Sequence, residues 1–112
     1  MNLRPITVLL ALLLGLPAAA FDHAHAAWTA VLKPHVRDGL VDYAALKAQP
    51  RELNAYLDSL AAVPKADFER WKKPEQVAFL LNLYNASTLK LVADHHPVTS
   101  IKKIGGLLQS PW

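Results

Sequence analysis

Apolar residues recur at helical spacing in several stretches of the chain, and the longest such stretch runs from Pro74 to Pro97. Pro74 fits an early helical position, where its missing N–H costs nothing. Glu75 sits in the first turn, where the helix dipole favours a negative charge. Pro97 disfavours helical geometry at His96, so the pattern predicts a stop there. At about 100° per residue, Val77, Leu80, Leu81, Tyr84, Thr88, Leu91, Val92 and His95 share one stripe, which is expected to face the core. Gln76, Ser87, Lys90 and Asp94 gather on the other side as a partly exposed face. Phe79 and Leu83 lie near that polar side. A helix apolar on more than one side is expected deep in its domain.

Shorter elements surround this helix. Asp22 is placed to cap a helix running to about Lys33, with Pro34 ending it and Ala24, Trp28, Val31 and Leu32 on its buried side. Asp38-Gly39 favours a tight turn, with Val36 before it and Leu40 and Val41 after it forming a very short hairpin. Asp42 then caps a brief helix through Tyr43, Leu46 and Lys47. From Pro50 a further amphipathic helix places Leu53, Tyr56, Leu57 and Leu60 on one face, with Arg51, Asn54 and Asp58 turned away. Val63-Pro64 ends it, Asp67 caps a short turn carrying Phe68 and Trp71, and Lys72-Lys73 read as a solvated linker. After Pro97, Ser100 to Ile104 forms one more turn, closed by Gly105-Gly106. The expectation is a mainly α fold with one short β-hairpin, which leaves room for an α/β architecture in a longer domain.

The first twenty residues stand apart from this pattern. Arg4 supplies a positive start, Ile6 to Leu16 an apolar run, and Ala18-Ala19-Ala20 a small-residue cleavage site. The apolar run falls short of the ~20 residues of a membrane span, so a cleaved signal peptide is expected, with cleavage after Ala20. Residues 21–112 are then one small domain in the periplasm or outside the cell, with no stable membrane insertion. The 53% hydrophobic share is inflated by the leader, and the formal charge of +3 falls slightly when Arg4 is removed. Such scattered, nearly balanced charge argues against nucleic acid as a partner. The chain has no cysteine, so neither a disulfide nor a thiol nucleophile arises within it.

Candidate chemistry is sparse. Asn82 and Asn85 stand i, i+3 in the central helix, on one flank. They either line a site or tie a neighbouring loop backbone into the core. His95 ends the stripe near a helix C-terminus, which favours an imidazolium and suits acid–base work. Tyr84 can donate a hydrogen bond. Asn82, Tyr84, Asn85 and His95 are therefore the candidate catalytic residues. Ser87 and Thr88 lack an activating base in any clear constellation. His23 and His25 flank Ala24 and read as a solvated helix start, and neither they nor His95-His96 have metal-ligand spacing. No cofactor loop is visible.

FDHAHAAW, DGLVDYAAL, EQVAFLLNLYNASTLKLV and HHPVTSIKKIGGL, in that order, resemble the family catalogued as domain of unknown function 547. The most specific part is Phe79 to Ala86, followed by the His-x-Pro-like element and Ser100-Ile101…Ile104-Gly105. Leu80-Leu81 stands where a Trp-Ile pair is commoner, and His95-His96 where a His-Tyr pair is. The resemblance implies a secreted or envelope protein in bacteria and carries no settled activity. It also implies that residues 21–112 are the N-terminal part of a longer, truncated domain, as the apolar end Leu107 to Trp112 suggests. The residues themselves give no activity, and three readings stay open: part of an envelope hydrolase or acyl-transfer enzyme whose nucleophile lies beyond residue 112, a non-catalytic binding module, or a nonfunctional remnant.

Overall fold

The computed structural model describes residues 20–104. Residues 1–19, where the signal peptide is expected, and the segment from Gly105 to Trp112 lie outside the described residues. In chain order the elements are α1 (Ala26–His35), β1 (Val36–Arg37), β2 (Leu40–Val41), α2 (Tyr43–Ala48), α3 (Arg51–Ala61), α4 (Lys65–Arg70), α5 (Lys73–Asp94) and a 3₁₀ turn (Ile101–Lys103). The fold is mainly helical with one short antiparallel hairpin, as the pattern predicts.

Asp22 caps the chain's entry into α1, its two carboxylate oxygens accepting from the Ala24 and Ala26 amides at 3.0 Å each. The helix itself begins only at Ala26, because His25 takes a left-handed backbone conformation at the N-cap. It also passes through Pro34 to His35 instead of stopping before it. In the last turn the proline gives up a single hydrogen bond to Ala30, a loss less disruptive than in mid-helix. Trp28 and Val31 are buried as expected, whereas Ala24 is exposed.

The hairpin pairs Val36 with Val41 and Arg37 with Leu40. Asp38 (φ 52°) and Gly39 (φ 76°) both adopt the left-handed region, the geometry that a two-residue turn between twisted strands requires. Asp42 accepts from the Ala45 amide at 3.1 Å and starts α2. In α3, Leu53, Tyr56 and Leu60 face the core. Asn54 is half-buried rather than turned fully away. α4 starts from Pro64, so Asp67 lies in its first turn instead of capping it. Lys73 belongs to α5, and Lys72 is its N-cap, with its amide donating to Glu75 Oε1 at 2.9 Å.

The largest departure concerns α5. Its buried residues are Phe79, Ala86 and Ala93, spaced by sevens, with Leu83 and Leu89 packed against the same core. Gln76 lies on this side as well, donating from Nε2 to the Phe68 carbonyl at 2.8 Å. The stripe expected to be buried is instead turned outward along its first half: Val77 is 44% exposed, Leu80 53%, Leu81 59% and Tyr84 59%. The core therefore uses the small side of the helix. Ala86 is wholly enclosed, and small residues there let α5 lie close against α2 and α3. Trp28 and Val31 of α1, Leu46 of α2 and Leu53, Tyr56 and Leu60 of α3 complete this core. Lys47 Nζ donates to the His96 carbonyl at 2.6 Å, tying α2 to the segment after α5. Among the described residues, no helix is long and apolar enough to cross a membrane.

Candidate functional site

The four residues singled out from the sequence all lie on α5 or at its C-cap. Asn82 is half-buried, Asn85 is exposed, and neither amide makes a hydrogen bond among the described residues. They do not tie a loop into the core. His95 is exposed, with Nδ1 2.8 Å from the carbonyl of Leu91 on its own helix. At a rise of 1.5 Å per residue it lies roughly 15 Å along the axis from Asn85. That distance is too great for the two to share one reacting atom. Thr88 likewise donates from Oγ1 to the Tyr84 carbonyl at 2.8 Å, within the helix.

A denser arrangement forms where the segment before α1 folds back onto α3, α4 and α5. Phe21 places its ring 5.0 Å from Trp71, 5.7 Å from Phe79 and 5.3 Å from both His23 and His25, measured between centroids. Phe68 joins from α4, 5.5 Å from Trp71 and 5.4 Å from Phe79. His23 stands edge-on to Trp71 at 4.5 Å, with Nε2 3.7 Å from Glu75 Oε2. Beside this cluster lies a cleft of about 610 Å³, lined by Phe21, His23, Ser59, Val63, Arg70 and Trp71 among others.

Below the cluster, His25 is only 6% exposed, and its Nδ1 lies 2.7 Å from the Tyr56 hydroxyl. The expected solvated helix start is therefore a buried histidine. The backbone at His25 is left-handed, and its ring is buried against Tyr56 of α3. Burial lowers its pKa below the usual histidine value of 6.5, and the nearby Asp22 carboxylate offsets only part of this. Burial, then Asp22, pushes the Tyr56 phenol up to about 12. The Asp22 carboxyl is held below its ordinary value by the two amides that it caps. Tyr56 stacks on Trp28 with centroids 5.4 Å apart and planes inclined by 13°. An aromatic residue on the buried side of an amphipathic helix was legible as core. Its histidine partner, 31 residues earlier, carried no periodic signal.

A second surface is apolar. Leu60, Val63, Phe68, Phe79, Leu80 and Leu83 line most of a cleft of about 380 Å³ between α3, α4 and α5. Through Leu80 it continues onto the exposed stripe of Val77, Leu81 and Tyr84. Lys65 stands at its edge. No group of three or more metal-ligating side chains comes together among the described residues. No family model matches the chain, and neither a characterised protein nor a solved structure does.

Proposed function

We propose that the chain is a secreted binding module whose contact surface is the outer face of α5 together with the apolar cleft beside it. The observation that carries this reading is the exposure of Val77, Leu80, Leu81 and Tyr84 at i, i+3, i+4 and i+7 on a 22-residue helix. A contiguous apolar stripe of this kind is a signature of helix-in-groove recognition. Leu80 joins the stripe to a cleft sized for a bulky apolar side chain. Lys65 at the cleft and Lys73 at the start of α5 favour a partner helix that is amphipathic and acidic at the matching end. Secretion rests on the leader pattern of Arg4, Ile6–Leu16 and Ala18–Ala20. Placement with the domain of unknown function 547 rests on the run from Phe79 to Ala86 and the elements that follow it.

The test is a titration of the isotope-labelled chain with a synthetic amphipathic, leucine-rich helix bearing acidic ends, followed by NMR. Shifts confined to Val77, Leu80, Leu81, Tyr84 and the cleft, and lost in Leu81→Asp, support the reading. Shifts elsewhere, or none, overturn it. Concentration-dependent shifts of the same residues without peptide would assign the surface to a second copy instead.

A further inference from the structure

The segment from Phe21 to His25 is held closed by contacts that oppose one another. Phe21 is inserted among Trp71, Phe79 and the two histidines. His25, at the hinge between this segment and α1, has φ 52° and ψ 45°, a left-handed conformation that side chains other than glycine adopt only at a cost. The 2.7 Å contact between its Nδ1 and the Tyr56 hydroxyl holds it there. Its Nε2 is shut away from water and has no hydrogen-bond partner. We propose that Phe21–His25 is an acid-released clasp: a proton on His25 frees the segment from Trp71, Phe79 and Tyr56 and opens the aromatic cleft, while the helical core stays folded.

A proton on His25 has no favourable place in the closed clasp. Neutral imidazole has one N–H and one lone pair, and the closed clasp gives one nitrogen a partner. Charged imidazole has two N–H donors, so protonation buries a positive charge on a ring whose Nε2 already has no partner. The groups facing His25 do not remedy this. The Asp22 carboxylate attracts the charge, but its oxygens are engaged with the Ala24 and Ala26 amides. His23, when charged, repels it. Tyr56 from α3 offers a neutral hydroxyl, already in use, and Trp28 from α1 offers no charge. The amino-terminal end of α1, beside His25, carries the positive end of a helix dipole. Release relieves all of this and lets the left-handed residue relax. One contact opposes release, because a charged His23 pairs with Glu75 of α5. Both side chains are about 30% exposed and 3.7 Å apart, so this pair is weak beside a buried charge. Burial already holds His25 below the ordinary histidine value of 6.5, so release falls on the acid side of that value.

The experiment follows tryptophan emission and far-ultraviolet circular dichroism of the full chain, as the cell produces it, from about pH 8 to about pH 4.5. The expected result is a one-proton red shift of emission, with its midpoint below 6.5 and helical ellipticity retained. Protection of the Ala24 and Ala26 amides, taken relative to the intrinsic exchange rate at each pH, falls over the same range as the Asp22 cap is lost. His25→Gln keeps a polar side chain at the hinge but cannot take up the proton, and abolishes the transition. His25→Asn, which tolerates the left-handed region, does the same and serves if the glutamine variant fails to fold. His23→Gln retains the transition. An unchanged transition in both His25 variants overturns the proposal, as does its loss in His23→Gln. Simultaneous loss of ellipticity overturns it too, since that is ordinary acid unfolding.

Discussion

Replacing Tyr56 by Phe isolates one atom of the buried pair. Tyr56 is 3% exposed and stacked on Trp28, and a phenylalanine ring keeps that packing while removing only the hydroxyl. His25 Nδ1 then loses its partner, and because Nε2 has none either, the whole imidazole is buried without a hydrogen bond. An orphaned buried polar group of this kind costs about 1–3 kcal/mol. The absence of any second partner places Tyr56→Phe in the upper half of that range. In a domain of this size each kcal/mol lowers Tm by roughly 4–8 °C. The assay is urea unfolding above pH 6.5, where His25 is neutral. It is run on the parent, Tyr56→Phe, His25→Gln and the double variant. With the phenol pushed up to about 12, Tyr56 itself does not titrate in this range. A hydrogen bond between the two residues gives a coupling of at least about 0.5 kcal/mol in the cycle. Strict additivity, or a Tyr56→Phe variant as stable as the parent, refutes the account of His25 as held by that hydroxyl.

Other perturbations test the rest of the fold. Ala86→Leu adds volume at a position with no exposed surface, between α5 and its neighbours, and lowers stability by about 1–3 kcal/mol in thermal unfolding. Leu81→Asp on the opposite side of the same helix changes stability by less than about 0.5 kcal/mol, and the contrast between the two checks which face is core. Asp22→Ala removes the cap before α1 and shows as faster amide exchange at Ala24 and Ala26 with the rest of the exchange profile retained. The pH dependences differ in place although not in sign. His25 is folded with a lowered pKa, so its contribution is whole above 6.5 and declines as pH falls through that value. Asp22 also has a lowered pKa, so its contribution is whole above 3.8 and declines only below it. Two separate steps in stability against pH are therefore expected, with the first missing in His25→Gln.

Most of the secondary structure was legible in local chemistry. Asp38-Gly39 fixed the hairpin because two successive left-handed residues leave few alternatives. Asp42 marked the start of α2 through its capping bond, and the spacing of Leu53, Tyr56 and Leu60 gave the buried side of α3. Pro34 misled because proline disrupts a helix through the bond and the turn before it. Near a C-terminus both effects fall where little helix remains to be disturbed. Asp67 misled in a similar way: an acidic residue suits the first turn as well as the cap, and Pro64 had already set the entry.

The two features on which the proposals rest were illegible for opposite reasons. On α5 the periodicity was real, but a stripe of leucine, valine and tyrosine outweighs one of alanine in any hydropathy pattern. Interhelical packing weighs them differently, because the closest approach goes to the smallest side chains. Ala86 and Ala93 therefore took the inner side, anchored by Phe79, and left the first half of the stronger stripe outside. The exposure of Val77, Leu80, Leu81 and Tyr84 is the ground for the proposal that α5 is a contact element. At His25 there was no periodicity at all to read. Its burial depends on a single left-handed residue and on a tyrosine from another helix, and neither is written into spacing. The sequence does place a titratable ring beside a capping aspartate and an aromatic residue. The ring is buried against Tyr56 of another helix, 31 residues away, and this contact makes its protonation a matter of tertiary structure rather than of a solvated helix end.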